Sequence, residues 1–375
     1  MATFRDYIPE LDGLRDISAM LVVLGHYGLG NVIPGTLGVT VFFFISGFLV
    51  TRQLLAEKEE TGGIVLSGFF MRRLLRLWPA LLVAVPVASF VNLLAGGSVT
   101  TPQVAAGLFY VTNYFAMFQT YHTGPGGMDS PLVVLWSLAV EVHFYLLFPL
   151  IFLILPGRKR LILLMIATIL AVTIWRNHIA DACIAEGAAC TEGLPAFRTA
   201  FATEMRLDSI LYGCLLAVLL TTRAVVPLTR LFQYRTTAVV SIVMLLASLL
   251  IRDPLYRAGL RYTLQGIAIF LLVGCLLFGP KIGGLRRALT LAPVIRLGKW
   301  SYSLYLWHLV VLVGAVPLLP ASLWQTAILE MRPSLFWLLV VMPCLVIISV
   351  FIAALSYDAV EKPGLRLKQY LRRAS

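Results

Sequence analysis

Ten long apolar runs, spread along the whole chain, leave this sequence few ways to fold. They span 13–30, 36–56, 74–95, 133–156, 161–175, 207–220, 238–251, 262–279, 297–319 and 335–357. A bilayer core about 30 Å thick is crossed by about 20 apolar residues in a helix. Inside it the backbone must satisfy its own hydrogen bonds. The runs are continuous rather than alternating, which excludes strands. Only 13% of the 375 residues are charged, against about 25% in a soluble domain. The reading is an all-α, polytopic membrane protein of about ten transmembrane helices, a single domain over 1–375 with no room for a large soluble one. A further apolar stretch, 104–119, is short and aromatic and reads as re-entrant or interfacial.

The net charge of +12 could point to nucleic acid. The basic residues, however, sit in short clusters between apolar runs, where they set topology. Seven lie in alternate loops: Arg176, Arg198, Arg206, Arg252, Arg257, Arg261 and Arg332. Every other Lys and Arg of the 30, all the lysines included, falls on the opposite side. The positive-inside rule then puts both termini in the cytoplasm. A full crossing by 104–119 would flip every later loop and destroy that asymmetry. Residues 1–10 lack a basic n-region and a cleavage site, so no signal peptide is read. Among five cysteines, Cys214, Cys275 and Cys344 stand alone in apolar runs and read as packing residues. Cys183 and Cys190 share a polar loop, where a disulfide and two free thiols both remain open. Their spacing fits no zinc site, and no metal is expected.

An ionisable residue inside a spanning helix is a functional candidate by default. The first helix carries Asp12, Arg15 and His26. At about 100° per residue, Arg15 and His26 differ by only about 20° around the axis, with Asp12 within about 60° of both. Along the axis they are roughly 16 Å apart, the reach of an extended phosphopantetheine arm. Arg15 would meet an anionic or polar donor group while His26 works on a reacting hydroxyl as general base. The alternative is a packing histidine bonded to a neighbouring carbonyl.

In the second helix, Ser46-Gly47 permits close helix approach; Ser46 as a nucleophile lacks an identifiable base. Arg72, Arg73 and Arg76 cluster where the third helix opens. They could hold phosphate groups or anionic lipid. Glu141 is the only acid in its run, with Ser137 and Tyr145 one turn to either side. It could orient His26, accept a substrate hydroxyl or pair with a buried arginine. His143 points elsewhere. Arg206 and Asp208 open a later helix. Ser301, Tyr305 and His308 share a face that reads as a polar, aromatic wall for a sugar or as an interfacial belt.

In order along the chain, these segments resemble the bacterial membrane acyltransferase-3 family. The resemblance rests on Leu11-Asp12-Gly13-Leu14-Arg15, His26, Leu37-Gly38-Val39 with Val41-Phe42-Phe43, and Ser46-Gly47-Phe48-Leu49. It continues through Arg72-Arg73-Leu74-Leu75-Arg76 and Trp136-Ser137-Leu138 with Glu141 and Phe144-Tyr145. Arg206-Leu207-Asp208, Ser301 through His308, and Glu361-Lys362-Pro363 complete it. It implies a ten-helix enzyme of the bacterial inner membrane that moves an acyl group, most often acetyl, from acyl-CoA to a hydroxyl. Acceptors in such a family are surface polysaccharides, peptidoglycan and smaller metabolites. The resemblance makes His26 and Arg15 essential, ties Arg73 and Arg76 to the CoA donor, and makes Glu141 important. Three positions depart from the pattern. Val142 and His143 stand where a second acid and a glutamine are common, and Asp16 follows Arg15. The chain is expected to carry no appended SGNH-type esterase domain. Membrane lipid and a carbohydrate or small-molecule acceptor are the expected partners, and a homo-oligomer is left open. A transporter or flippase for a lipid-linked glycan is the competing class. It should show inverted repeats or broken helix pairs, and neither is legible.

Overall fold

The structure is a computed structural model that describes residues 7–123, 130–155, 157–185, 194–279 and 282–366. Cys190 lies outside them, and with it the proposed pairing to Cys183. The described residues contain helices and no strand. The first half comprises α1 (Pro9–Leu24), α2 (Gly35–Thr61), α3 (Leu66–Leu94), α4 (Thr101–Leu108), α5 (Thr112–Thr123), α6 (Leu135–Ile154), α7 (Arg158–Ala185) and α8 (Leu194–Phe201). The second comprises α9 (Thr203–Leu219), α10 (Val225–Gln233), α11 (Arg235–Leu250), α12 (Pro254–Ala258), α13 (Leu260–Phe278), α14 (Gly283–Leu289), α15 (Ala292–Ala315), α16 (Ala321–Trp324) and α17 (Met342–Ser356).

Each apolar run falls on one helix. Among the described residues, seven helices are long and apolar enough to cross a membrane, or eight if α10 and α11, bent by 80°, form one span. The expected count of ten exceeds this because α1 and α9 are short and carry charge, while α11 alone is also short. The stretch 104–119 is split between α4 and α5 at Tyr110, whose φ is 57°. Neither piece is long enough to span. A capping box between Thr100 and Gln103 starts α4, satisfying two N–H groups that would otherwise be unpaired. The outer faces are apolar: Leu163, Leu170 and Ile174 on α7 and Ile347, Phe351 and Leu355 on α17 are all exposed. Such a belt suits hydrocarbon rather than water. The chain is a multi-pass membrane protein.

Packing fixes the relative direction of the helices around the core. Arg15 lies in the first half of α1 and His26 just past its C-terminal end. Tyr302 of α15 donates to the Leu77 carbonyl of α3. His308 of α15 meets His26 beyond α1. Ser46 and Phe43 of α2 meet Glu141 and Trp136 of α6. So α1, α3 and α15 run one way, and α2 and α6 run the other. Helices α2 and α9 approach closely at Gly47 and Gly213. A Cβ on Gly213 would fall 2.0 Å from the Phe44 carbonyl oxygen, so no larger residue fits without separating the two helices.

Candidate active site

A cavity of about 70 Å³ opens between α1, α2, α3, α6 and α15. Its lining includes Arg15, Phe42, Ser46, Arg76, Ser137, Glu141, Tyr145, Ser301, Tyr302 and Tyr305. The helix directions sort these residues into levels. Arg15, Arg76, Ser46, Glu141 and Tyr145 lie toward the end where α1 begins. Phe42, Ser137 and Tyr305 lie further along. The i±4 spacing of Ser137, Glu141 and Tyr145 puts all three on the cavity face of α6.

Glu141 accepts hydrogen bonds from the Ser46 hydroxyl and from the Tyr145 phenol. The carboxylate therefore has two neutral donors and no ion pair to arginine among the described residues. Nor does it touch His26. The carboxylate that sequence spacing could not find beside Ser46 comes from α6. Arg15 donates weakly to Asp12 at 3.4 Å, and Asp12 also accepts from Tyr7 at 2.6 Å. Asp12 is buried and tethers Arg15 without lining the cavity.

The three arginines of α3 take different positions. Arg76 lines the cavity with no hydrogen bond or ion pair among the described residues. Its guanidinium is thus available to an anionic or carbonyl-bearing ligand. Arg73 is buried. It donates to Gln53 and lies over the rings of Phe69 and Tyr145, at 5.4 and 4.9 Å. It borders a second, mostly apolar cavity that shares Leu77 and Tyr145 with the first. Arg72 pairs with Glu57 at 2.7 Å.

At the far level, the Tyr305 phenol donates to the Val134 carbonyl at 2.9 Å and bonds Ser137 at 2.6 Å. One turn on, the His308 ring lies 5.7 Å from the Tyr305 ring, centroid to centroid. His308 is fully buried. Its Nε2 lies 3.0 Å from Nδ1 of His26. His26 itself is exposed. It sits just past α1, in a π-helical turn, Gly25–Leu29, that leaves helical geometry at Tyr27 and Gly28. Gly28 has φ 103°, which a larger residue rarely adopts. This bend presents the His26 ring to α15. The side-on pairing of the two histidines was not foreseen. The signal was present, since each histidine stands deep in an apolar run, past the charged residues near its start.

Arg176 is expected in an outer loop, but the structure buries it completely. It pairs with Asp208 at 2.7 Å and donates to the Met205 and Gly259 carbonyls and to Thr263. Arg206, also buried, bonds Thr40 and lies 3.9 Å over the Tyr262 ring. This cluster stands apart from the cavity. His143 bonds Thr203 and stacks on Tyr114, also away from it.

The family model described as an acyltransferase domain matches residues 8–356. The chain is 26% identical over 348 residues to a peptidoglycan O-acetyltransferase of Listeria monocytogenes, covering 88% of this chain and 54% of that protein. It is 31% identical over 318 residues to a provisionally named O-acetyltransferase of Staphylococcus aureus, covering 82% and 51%. A provisionally named peptidoglycan O-acetyltransferase of Bacillus subtilis is 28% identical over 379 residues, covering 95% and 55%. The chain thus spans about half the length of the curated relatives it matches. No solved structure matches it.

Proposed function

The chain belongs to the acyltransferase-3 family, and from that premise we propose that it is a membrane O-acyltransferase drawing on acyl-CoA, with acetyl the first candidate group. The acceptor is a hydroxyl of a carbohydrate or other molecule presented at the membrane. The peptidoglycan named for two of its relatives is the first to try. The membrane is the bacterial plasma membrane, with the Arg72–Arg76 end in the cytoplasm, where the positive-inside rule puts it.

One observation carries this reading: the cavity runs from two guanidiniums, Arg15 and Arg76, to Tyr305, one ring away from the His308–His26 pair. Acyl-CoA would enter at the basic end, drawn past Arg72 at the rim, with its phosphates held by Arg76 and Arg15 inside. The narrow pantetheine arm would extend along Ser46, Glu141 and Ser301. Glu141, with Ser46 and Tyr145 bound to it, shapes the polar wall of that passage. His26 takes the proton of the acceptor hydroxyl as its oxygen attacks the thioester carbonyl. The C–S bond then breaks, and the imidazolium returns the proton to the CoA thiolate. The ester is formed with the charge balance restored. An acyl-His26 intermediate would transfer the same group in two such steps.

The test uses purified protein in lipid with acetyl-CoA labelled in the acetyl group and a muropeptide acceptor. His26→Ala should fold and bind acetyl-CoA yet transfer no label. Normal product from that variant sinks the assignment. Label retained on the wild-type protein without acceptor would replace direct attack by the acyl-enzyme route.

A further inference from the structure

We propose that His308 is a positioning residue that holds His26 in its Nδ1–H tautomer and so puts the reactive lone pair on Nε2. The inference rests on the reading of His26 as the base, but its structural half can be tested alone.

His308 Nδ1 lies 2.8 Å from the Tyr305 carbonyl oxygen. A carbonyl only accepts, so Nδ1 carries the hydrogen. In a neutral ring the other nitrogen, Nε2, is then an acceptor. That Nε2 faces His26 Nδ1 at 3.0 Å, and this contact is a hydrogen bond only if His26 Nδ1 donates. Neutral His26 is left with its lone pair on Nε2. The chain of bonds reads carbonyl, His308, His26, reacting hydroxyl. Its direction is set by an oxygen that cannot be reversed.

The surroundings keep this order. Tyr27 donates to the His308 carbonyl at 2.8 Å and bonds Ser349 at 2.6 Å, tying α1's extension to α15 and α17. Trp337 donates to the Tyr27 carbonyl at 2.8 Å. The two imidazoles lie 5.1 Å apart by centroid, at 28°. His308 is sealed while His26 is exposed, so only one ring of the pair can meet a substrate. When His26 gains a proton on Nε2, its Nδ1–H becomes a charged donor, and the bond to His308 strengthens. That added strength exists only once charge has moved, so it favours the transition state over the ground state. A carboxylate plays this part in serine-protease triads. Here a neutral ring backed by a carbonyl does it.

Two variants and one spectrum decide the matter. In His308→Gln the amide oxygen can occupy the Nε2 position and still accept from His26. Its kcat should stay within about tenfold of wild type. His308→Leu removes the acceptor, and its kcat should fall roughly 10²- to 10³-fold, within the range of a positioned base. The KM for acetyl-CoA should change by less than about threefold, because the cavity's guanidiniums are untouched. Protein labelled with 15N-histidine, with the His26 signals identified by their loss in His26→Ala, reports the tautomer directly. Wild type and His308→Gln should show His26 protonated at Nδ1, and His308→Leu should lose that preference. A His26 protonated at Nε2 in wild type, or a His308→Leu enzyme with full kcat, overturns the proposal. If His308→Leu does not fold, the wild-type spectrum still decides. Transfer activity in His26→Ala would instead remove the catalytic reading and leave the tautomer question intact.

Discussion

The Arg176–Asp208 cluster and the Arg15–Arg76–Glu141 cluster are built from the same kinds of side chain inside the same bundle, yet only the second borders a cavity. In the first, Arg176 is fully buried and directs its donors to a carboxylate, two carbonyls and a hydroxyl. Those bonds tie α7, α9 and α13 together. In the second, acid and base stand near one another without pairing. Glu141 is occupied by Ser46 and Tyr145, Arg15 reaches only Asp12, and Arg76 has no partner among the described residues. A buried charge with its partners in place holds the fold. A charge left unpaired beside an open volume is free to meet something that enters. Burial alone separates nothing here, whereas the presence of partners does.

The sharpest way to break this comparison is to remove one partner from the closed cluster. Asp208→Ala strands the Arg176 guanidinium, which should cost about 3–5 kcal/mol. Little folded protein should survive detergent extraction, and thermal melting should show a large drop. Activity per folded molecule should be unchanged. A stable Asp208→Ala protein with a specific loss of transfer would put this cluster in the reaction and dissolve the distinction.

Removing Arg76 should act in the opposite way. It forms no hydrogen bond or ion pair among the described residues, so Arg76→Ala should leave the melting temperature close to wild type. One charge-assisted hydrogen bond is worth about 1.5–3 kcal/mol, or roughly 10- to 150-fold in affinity. Acetyl-CoA binding, measured by calorimetry on protein in lipid, should weaken by that much. Unchanged binding would mean that the cavity does not receive the donor.

Much of this architecture was legible in the residues alone, because hydrocarbon tolerates only long apolar helices and each run therefore declares itself. Contacts within one helix were legible too. The Asp12–Arg15 contact is an i, i+3 pair, and Ser137, Glu141 and Tyr145 follow one another at i, i+4. Contacts between helices were not. Nothing in the spacing says that α6 brings Glu141 to Ser46 rather than to His26, or that His308 reaches back over 282 residues to His26. Arg176 looked like a loop charge because its carboxylate lies 32 residues on, across a polar segment. The split at Tyr110 was hidden as well, since an aromatic residue at positive φ carries no local signature.

Arg72 gives the comparison its finest test, because it belongs to neither cluster. It sits next to Arg73 and one turn from Arg76, and the three were grouped together as candidates for phosphate. Yet its guanidinium is partly exposed and pairs with Glu57 at 2.7 Å, and it lines neither of the two cavities around Arg73 and Arg76. A partly exposed pair of this kind is worth about 0–1 kcal/mol, so Arg72→Ala should barely move the melting temperature. Its contribution to the donor is at most a screened attraction at the rim, which salt weakens. The KM for acetyl-CoA should therefore rise by about threefold or less, and that rise should shrink as ionic strength increases. A larger, salt-independent effect would require Arg72 to leave Glu57 and bind the donor directly. Partner occupancy in the unliganded bundle would then cease to separate structural arginines from working ones.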